Sequence, residues 1–91
     1  MYEFFNIGVC MKKRYPDGEI PSSAMQLRAS IAAEVKAARR ESHLTQERLA
    51  EACGTKKSNI SRMESGRYNP SLDFLVRLAE SMDRELSIHI S

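Results

Sequence analysis

The stretch LTQERLAEACGTKKSNISRMESG, Leu44 to Gly66, holds two short apolar-periodic segments that meet at Gly54. Thr45 is a capping residue, and behind it Leu49, Ala50 and Cys53 recur at helical spacing. Gly54 suits the left-handed conformation that closes a helix, and Thr55 stands where it can cap the next one. Beyond the glycine, Ile60 and Met63 share one side with Glu64, while Lys57, Ser58 and Arg62 fall on another arc. The pattern predicts two helices, over about 45–53 and 56–65, joined by a tight turn.

Upstream, PSSAMQ (21–26) carries a helix start in which Ser23 accepts from the amide of Gln26 and Gln26 reaches back, the reciprocal capping box. Leu27, Ile31, Val35 and Ala38 then form one apolar stripe, which predicts a long first helix from about Ser23 to Ser42. Residues 1–21 read as an arm: an aromatic-apolar start, then Lys12, Lys13 and Arg14, then YPDGEIP with its turn chemistry. Met11 would make a sensible alternative beginning.

Downstream, Asn69 or Ser71 caps a further helix from about Pro70 to Met82, with Leu72, Leu75, Val76, Ala79 and Met82 on one face. Phe74 and Leu78 widen that face beyond the needs of a small core, which suggests a subunit contact. RELSIHI (84–90) alternates Leu86, Ile88 and Ile90 with Glu85, Ser87 and His89, the period of a strand. A lone strand needs a mate, either the same strand of a second copy or part of the N-terminal arm. The expected fold is therefore mainly α: a compact bundle of four to five helices with one C-terminal β-strand, pairing across a dimer. Its divisions are an arm at 1–21, a helical domain at 22–83 with the paired helices at 45–65, and the strand at 84–91.

The 91 residues make one domain, and a chain this short buries a small enough share of its surface that a partner subunit would help it. The net charge of +2 argues little by itself, but its distribution does. From Gly54 to Arg67 stand Lys56, Lys57, Arg62 and Arg67, with Glu64 as the only anion. Two short helices joined at a glycine are helix-turn-helix geometry, in which the second helix enters the major groove of DNA. That element needs cations for phosphates and hydrogen-bonding side chains for base edges, and Lys56, Lys57, Ser58, Asn59 and Arg62 provide both.

At this point LTQERLAEACGTKKSNISRMESGRYNPSLDFLVRLAESM (44–82) resembles the Xre group of bacterial and phage helix-turn-helix regulators, relatives of phage repressors and Cro. The likeness runs from about Ile31 to Met82 and rests on Leu44-Thr45-Gln46, Leu49-Ala50, Gly54, Ile60-Ser61, Glu64, Gly66, Pro70-Ser71 and Leu75. The resemblance implies that Gln46 touches phosphate and a base edge, that Lys57 and Ser58 face bases, and that Arg62 faces a base or phosphate. Lys56, Asn59, Arg67 and Asn69 are expected at the phosphate backbone. Arg39 is implied to pair inward with Glu64, its remaining donors near phosphate. Phe74, Leu78, Leu86, Ile88 and Ile90 are the expected dimer contacts.

The long first helix, the NPSL run and the apolar ending resemble the HigA-type antitoxin branch, which implies a dimer on its own operator and a RelE-like toxin as second partner. The alternative is a protein-interaction antitoxin whose DNA binding is secondary. One departure is MDRE (82–85), where that family has a glycine after the fourth helix.

Other features point to no chemistry. Cys53 fits a small core position and Cys10 a thiol on the arm, and neither suggests a disulfide framework. His43 and His89 lack companions at ligand spacing, and Ser61 and Ser65 lack an activating base. There is no glycine-rich phosphate loop and no acid–base pair, so neither an enzyme nor a cofactor is expected. No apolar run approaches the roughly twenty residues of a membrane span, and the basic cluster of the opening follows its apolar run, unlike a secretory signal. A cytoplasmic protein is the expectation.

Overall fold

The computed structural model describes residues 15–91, in which four helices follow one another: α1 (Ser22–Glu41), α2 (Gln46–Cys53), α3 (Lys57–Glu64) and α4 (Leu72–Ser81). The first fourteen residues, with Cys10 and the cations at 12–14, lie outside the described residues, as does any pairing of that part of the arm. Tyr15 to Ile20 are exposed, and the Glu19 amide donates to the Pro16 carbonyl at 3.1 Å, closing the PDG turn.

The start of α1 differs from the capping-box expectation. Pro21 is the capping residue, and its carbonyl accepts from the amides of Ala24 and Met25 with no side chain capping the helix. The fixed φ of proline, here −60°, sets the extended entry and leaves the serines unneeded for it. At the other end, His43 takes a positive φ of 58°, and the Leu44 amide donates back to Arg39 at 3.1 Å.

The α2–α3 unit forms as its sequence dictates. The Thr45 hydroxyl accepts from the Arg48 amide at 3.1 Å, and Gly54 closes α2 with φ 74° in the left-handed region. Thr55 does not cap α3; Lys56 holds the capping position, and the Thr55 hydroxyl accepts instead from Asn59 Nδ2 at 2.8 Å. The core gathers between the helices, with Leu49, Ile60, Met63 and Leu78 fully buried and Ala32, Ala38, Ala50, Cys53, Phe74, Leu75 and Met82 around them. Ile31, Val35, Leu44, Tyr68 and Leu86 close its margins. Every helix contributes, so neither α2 nor α3 can shift without opening this core.

Between α3 and α4, Gly66 has φ 85° and lies so close to α1 that a Cβ there would sit 3.5 Å from the Ala29 backbone. Ser71 caps α4, its hydroxyl accepting from the Phe74 amide at 3.1 Å. Phe74 and Leu78 are taken up by the chain's own core, whereas Leu72, expected on the inner face, is exposed.

The fold is all-α among the described residues, and the predicted C-terminal strand is absent: residues 84–91 form no strand. Alternation of Leu86, Ile88 and Ile90 sets which faces a strand would show, but a strand exists only where a neighbour pairs its backbone. Among the described residues no strand is present to pair with it. The chain instead turns at Asp83, which takes φ 56°, the left-handed region that Asp tolerates better than most residues. The Arg84 amide then donates to the Ala79 carbonyl at 2.8 Å, so MDRE does the work of the missing glycine. Leu86 packs against the core margin, Arg84 pairs with Glu41 of α1 at 2.8 Å, and Ile88 and Ile90 are exposed.

Candidate nucleic-acid interface

Alternation of burial along α3 separates packing from presentation. Ile60 and Met63 point into the core with 0% and 1% exposure, and on the other side Lys56, Lys57, Ser58, Ser61 and Arg62 are exposed. Arg67 and Asn69 continue this polar surface into the next loop. No ion pair among the described residues involves Lys56, Lys57, Arg62 or Arg67, so no described carboxylate offsets their charge. The Arg62 guanidinium lies 5.9 Å from the ring centroid of Tyr68, a cation–π distance that steadies a long side chain.

The one anion of the segment turns inward. Glu64 receives Arg39 through two parallel bonds, Nε to Oε2 at 2.7 Å and Nη2 to Oε1 at 3.1 Å, with side chains 4% and 11% exposed. Arg39 Nη1 donates to the Leu44 carbonyl at 2.8 Å, and Gln46 Nε2 donates to Glu64 Oε1 at 3.1 Å. The cluster joins α1, the loop before α2, the start of α2 and the end of α3. Burial pushes the Glu64 carboxyl upward, but hydrogen bonds from Arg39 and Gln46 and the positive charges of Arg39 and Lys36 outweigh it and hold the pKa below its ordinary value. The hydrogen bond to Glu64 likewise raises Arg39, against the opposing effect of its burial. A fork-to-fork pair with a further guanidinium nitrogen bound to a backbone carbonyl is a form in which a buried ion pair is tolerated.

Three sequence-predicted residues stand differently from a free DNA-facing side chain. Gln46 is half-buried and bound to Glu64; Asn59 is half-buried and bound to Thr55; all three nitrogens of Arg39 are engaged within the protein. Of the expected dimer residues, Leu86 is half-buried, Ile88 and Ile90 are 65% and 92% exposed, and Phe74 and Leu78 are core. Arg28 was not singled out by sequence, yet its Nη1 donates to the Arg67 carbonyl at 3.2 Å and fixes the loop after α3 to α1. Tyr68 was also missed; an aromatic six residues after an arginine carries no helical signal, because the loop at Gly66 brings them together.

Residues 35–88 match the family model described as Helix-turn-helix, a span that holds the α2–α3 unit and the whole Arg39–Glu64–Gln46 cluster. An uncharacterized HTH-type transcriptional regulator of Methanothermobacter thermautotrophicus is 47% identical over 47 residues, 52% of this chain and 68% of that protein. The ImmF control region 10 kDa protein of Bacillus phage phi105 is 36% identical over 58 residues, and the chain spans 64% of its length and 64% of its own. Among solved structures, the clp gene regulator ClgR from C. glutamicum superposes with TM-score 0.64 at 25% identity, over 66% of this chain and 77% of that one. A toxin–antitoxin module from Streptococcus pneumoniae superposes with TM-score 0.59 at 26% identity, over 96% and 90%. No helix among the described residues is long and apolar enough to cross a membrane.

Proposed function

The chain belongs to the helix-turn-helix family of DNA-binding transcriptional regulators, and from that premise we propose that it is a repressor that binds an inverted-repeat operator as a dimer. The observation that carries the reading is the division of α3 into a fully buried side and an exposed side whose cations have no ion-pair partner among the described residues. Lys57, Ser58 and Arg62 read base edges, and Lys56, Arg67 and Asn69 hold phosphates. In the dimer two copies of α3 lie about 34 Å apart, one turn of DNA. The exposed Ile88 and Ile90, with Leu86 behind them, supply apolar surface for the subunit contact.

Gel shifts with the DNA upstream of its own gene test the reading. A palindromic site is bound, and affinity falls steeply with salt. Lys57→Ala and Arg62→Ala each weaken it by about 1–3 kcal/mol, the worth of a good base contact; unchanged binding by both removes α3 as the reading element.

A second reading is favoured by the likeness to the toxin–antitoxin module over 96% of the chain. In it the protein is also an antitoxin that neutralises a small RelE-like toxin encoded beside it. Co-purification with the neighbouring gene product supports this reading, and a lone gene with no small neighbour counts against it.

A further inference from the structure

We propose that Glu64 is a positioning residue for DNA: the carboxylate that ties α1 to α3 also fixes the side-chain amide of Gln46 so that one nitrogen spans from the protein interior to a phosphate. The inference deepens the DNA-binding reading above and rests on it.

Donors and acceptors decide which end of the Gln46 amide turns inward. Glu64 is ionised, its carboxylate gripped by Arg39 at 2.7 and 3.1 Å, and an ionised carboxylate only accepts. Gln46 approaches the same Oε1 at 3.1 Å, so the group it turns inward must be its NH₂ and not its carbonyl oxygen. The amide cannot flip without setting oxygen against oxygen beside a side chain that is 4% exposed. Nε2 carries two hydrogens. One is held by Glu64; the other has no partner among the described residues and its direction is set by the first. Gln46 opens α2, the helix that crosses the DNA backbone in a helix-turn-helix complex, and a phosphate, like a carboxylate, only accepts. The fixed amide therefore meets the DNA with a donor already oriented. Glu64 itself touches no DNA in this arrangement. Its contribution is to remove the two-fold freedom of a glutamine amide that would otherwise present oxygen to phosphate half of the time.

The test is a double-substitution cycle in DNA affinity. The probes are the tightest duplex selected from a random-sequence pool and an unrelated duplex, at a temperature where melting curves show each variant folded. Gln46→Met is expected to weaken both duplexes alike, by about tenfold, as loss of a phosphate contact does. In a Glu64→Gln background, where the amide is free to flip and presents its donor about half of the time, the same substitution costs about fivefold, because contacting residues do not act additively. Fully additive losses, or a loss confined to the selected duplex, overturn the proposal. If Glu64→Gln does not fold, hydrogen exchange of the two Gln46 side-chain protons in the unsubstituted protein decides. One is slowed in the free protein and both in the complex; equal, unprotected exchange of the pair in either state overturns it. Failure of the unsubstituted chain to bind any duplex at low salt overturns the reading beneath.

Discussion

The α2–α3 unit and the C-terminal tail are both amphipathic by sequence, yet one folds as its pattern predicts and the other does not. A helix satisfies its backbone hydrogen bonds within its own segment, so a cap, a periodic apolar face and a closing glycine suffice to specify it. Thr45, Leu49, Cys53 and Gly54 are such a set, and α2 runs between them as expected. A strand borrows its hydrogen bonds from a neighbour, and alternation along 84–91 specifies a face without supplying that neighbour. The tail is instead held by one buried-edge leucine, Leu86, and by one exposed ion pair, Arg84 with Glu41. Ionic contacts in the two regions differ in the same way: the pair in the helical unit is enclosed and tied to Leu44 and Gln46 by further hydrogen bonds, the pair at the tail is open to water.

Substitutions at these two pairs sharpen the contrast. Glu64→Ala carries the largest effect, since it leaves the Arg39 guanidinium enclosed without its counter-ion; a loss of about 3–5 kcal/mol of unfolding free energy is expected by chemical denaturation. A loss below ~1 kcal/mol, the worth of a surface pair, would place the two regions on a par. Acid acts on the same group more gently. The Glu64 carboxyl titrates lower folded than unfolded, so its stabilisation is complete above the ordinary carboxylate range and is lost as pH falls through the folded value. Melting temperature should be level near neutrality and decline below the ordinary value, and Glu64→Gln should flatten part of that decline. At Arg84→Ala the expected cost is smallest, roughly 0.2–1 kcal/mol, because side chains 44% and 64% exposed are screened by water and salt. A larger loss there would show that the tail is integral to the helical core.

The same division governs what the sequence disclosed. Local devices were legible: Thr45 and Ser71 as caps, Gly54 as a stop, Ile60 and Met63 as the buried side of α3. The inward turn of Glu64 toward Arg39 was implied by the family resemblance and stands at 2.7 Å. Contacts set by tertiary placement were not legible. Nothing local announces that Gln46 reaches Glu64 eighteen residues on, or that Arg28 donates to the carbonyl of Arg67 across thirty-nine. Competing partners also defeated local rules, as when Asn59 took the Thr55 hydroxyl and Pro21 displaced the serine cap. The excess apolar face of α4 was misjudged for a related reason, since four helices enclose Phe74 and Leu78 more completely than the periodicity of one helix implies.

The central claim is that the exposed side of α3 is the surface that meets DNA. Mapping backbone amide chemical shifts while a duplex carrying the upstream inverted repeat is added tests it most directly. The largest changes are expected on residues 56–62, with smaller ones at 46 and 67–69 and little change on α4 and the tail. Changes concentrated on α4 and residues 84–91, with 56–62 unmoved, would contradict it.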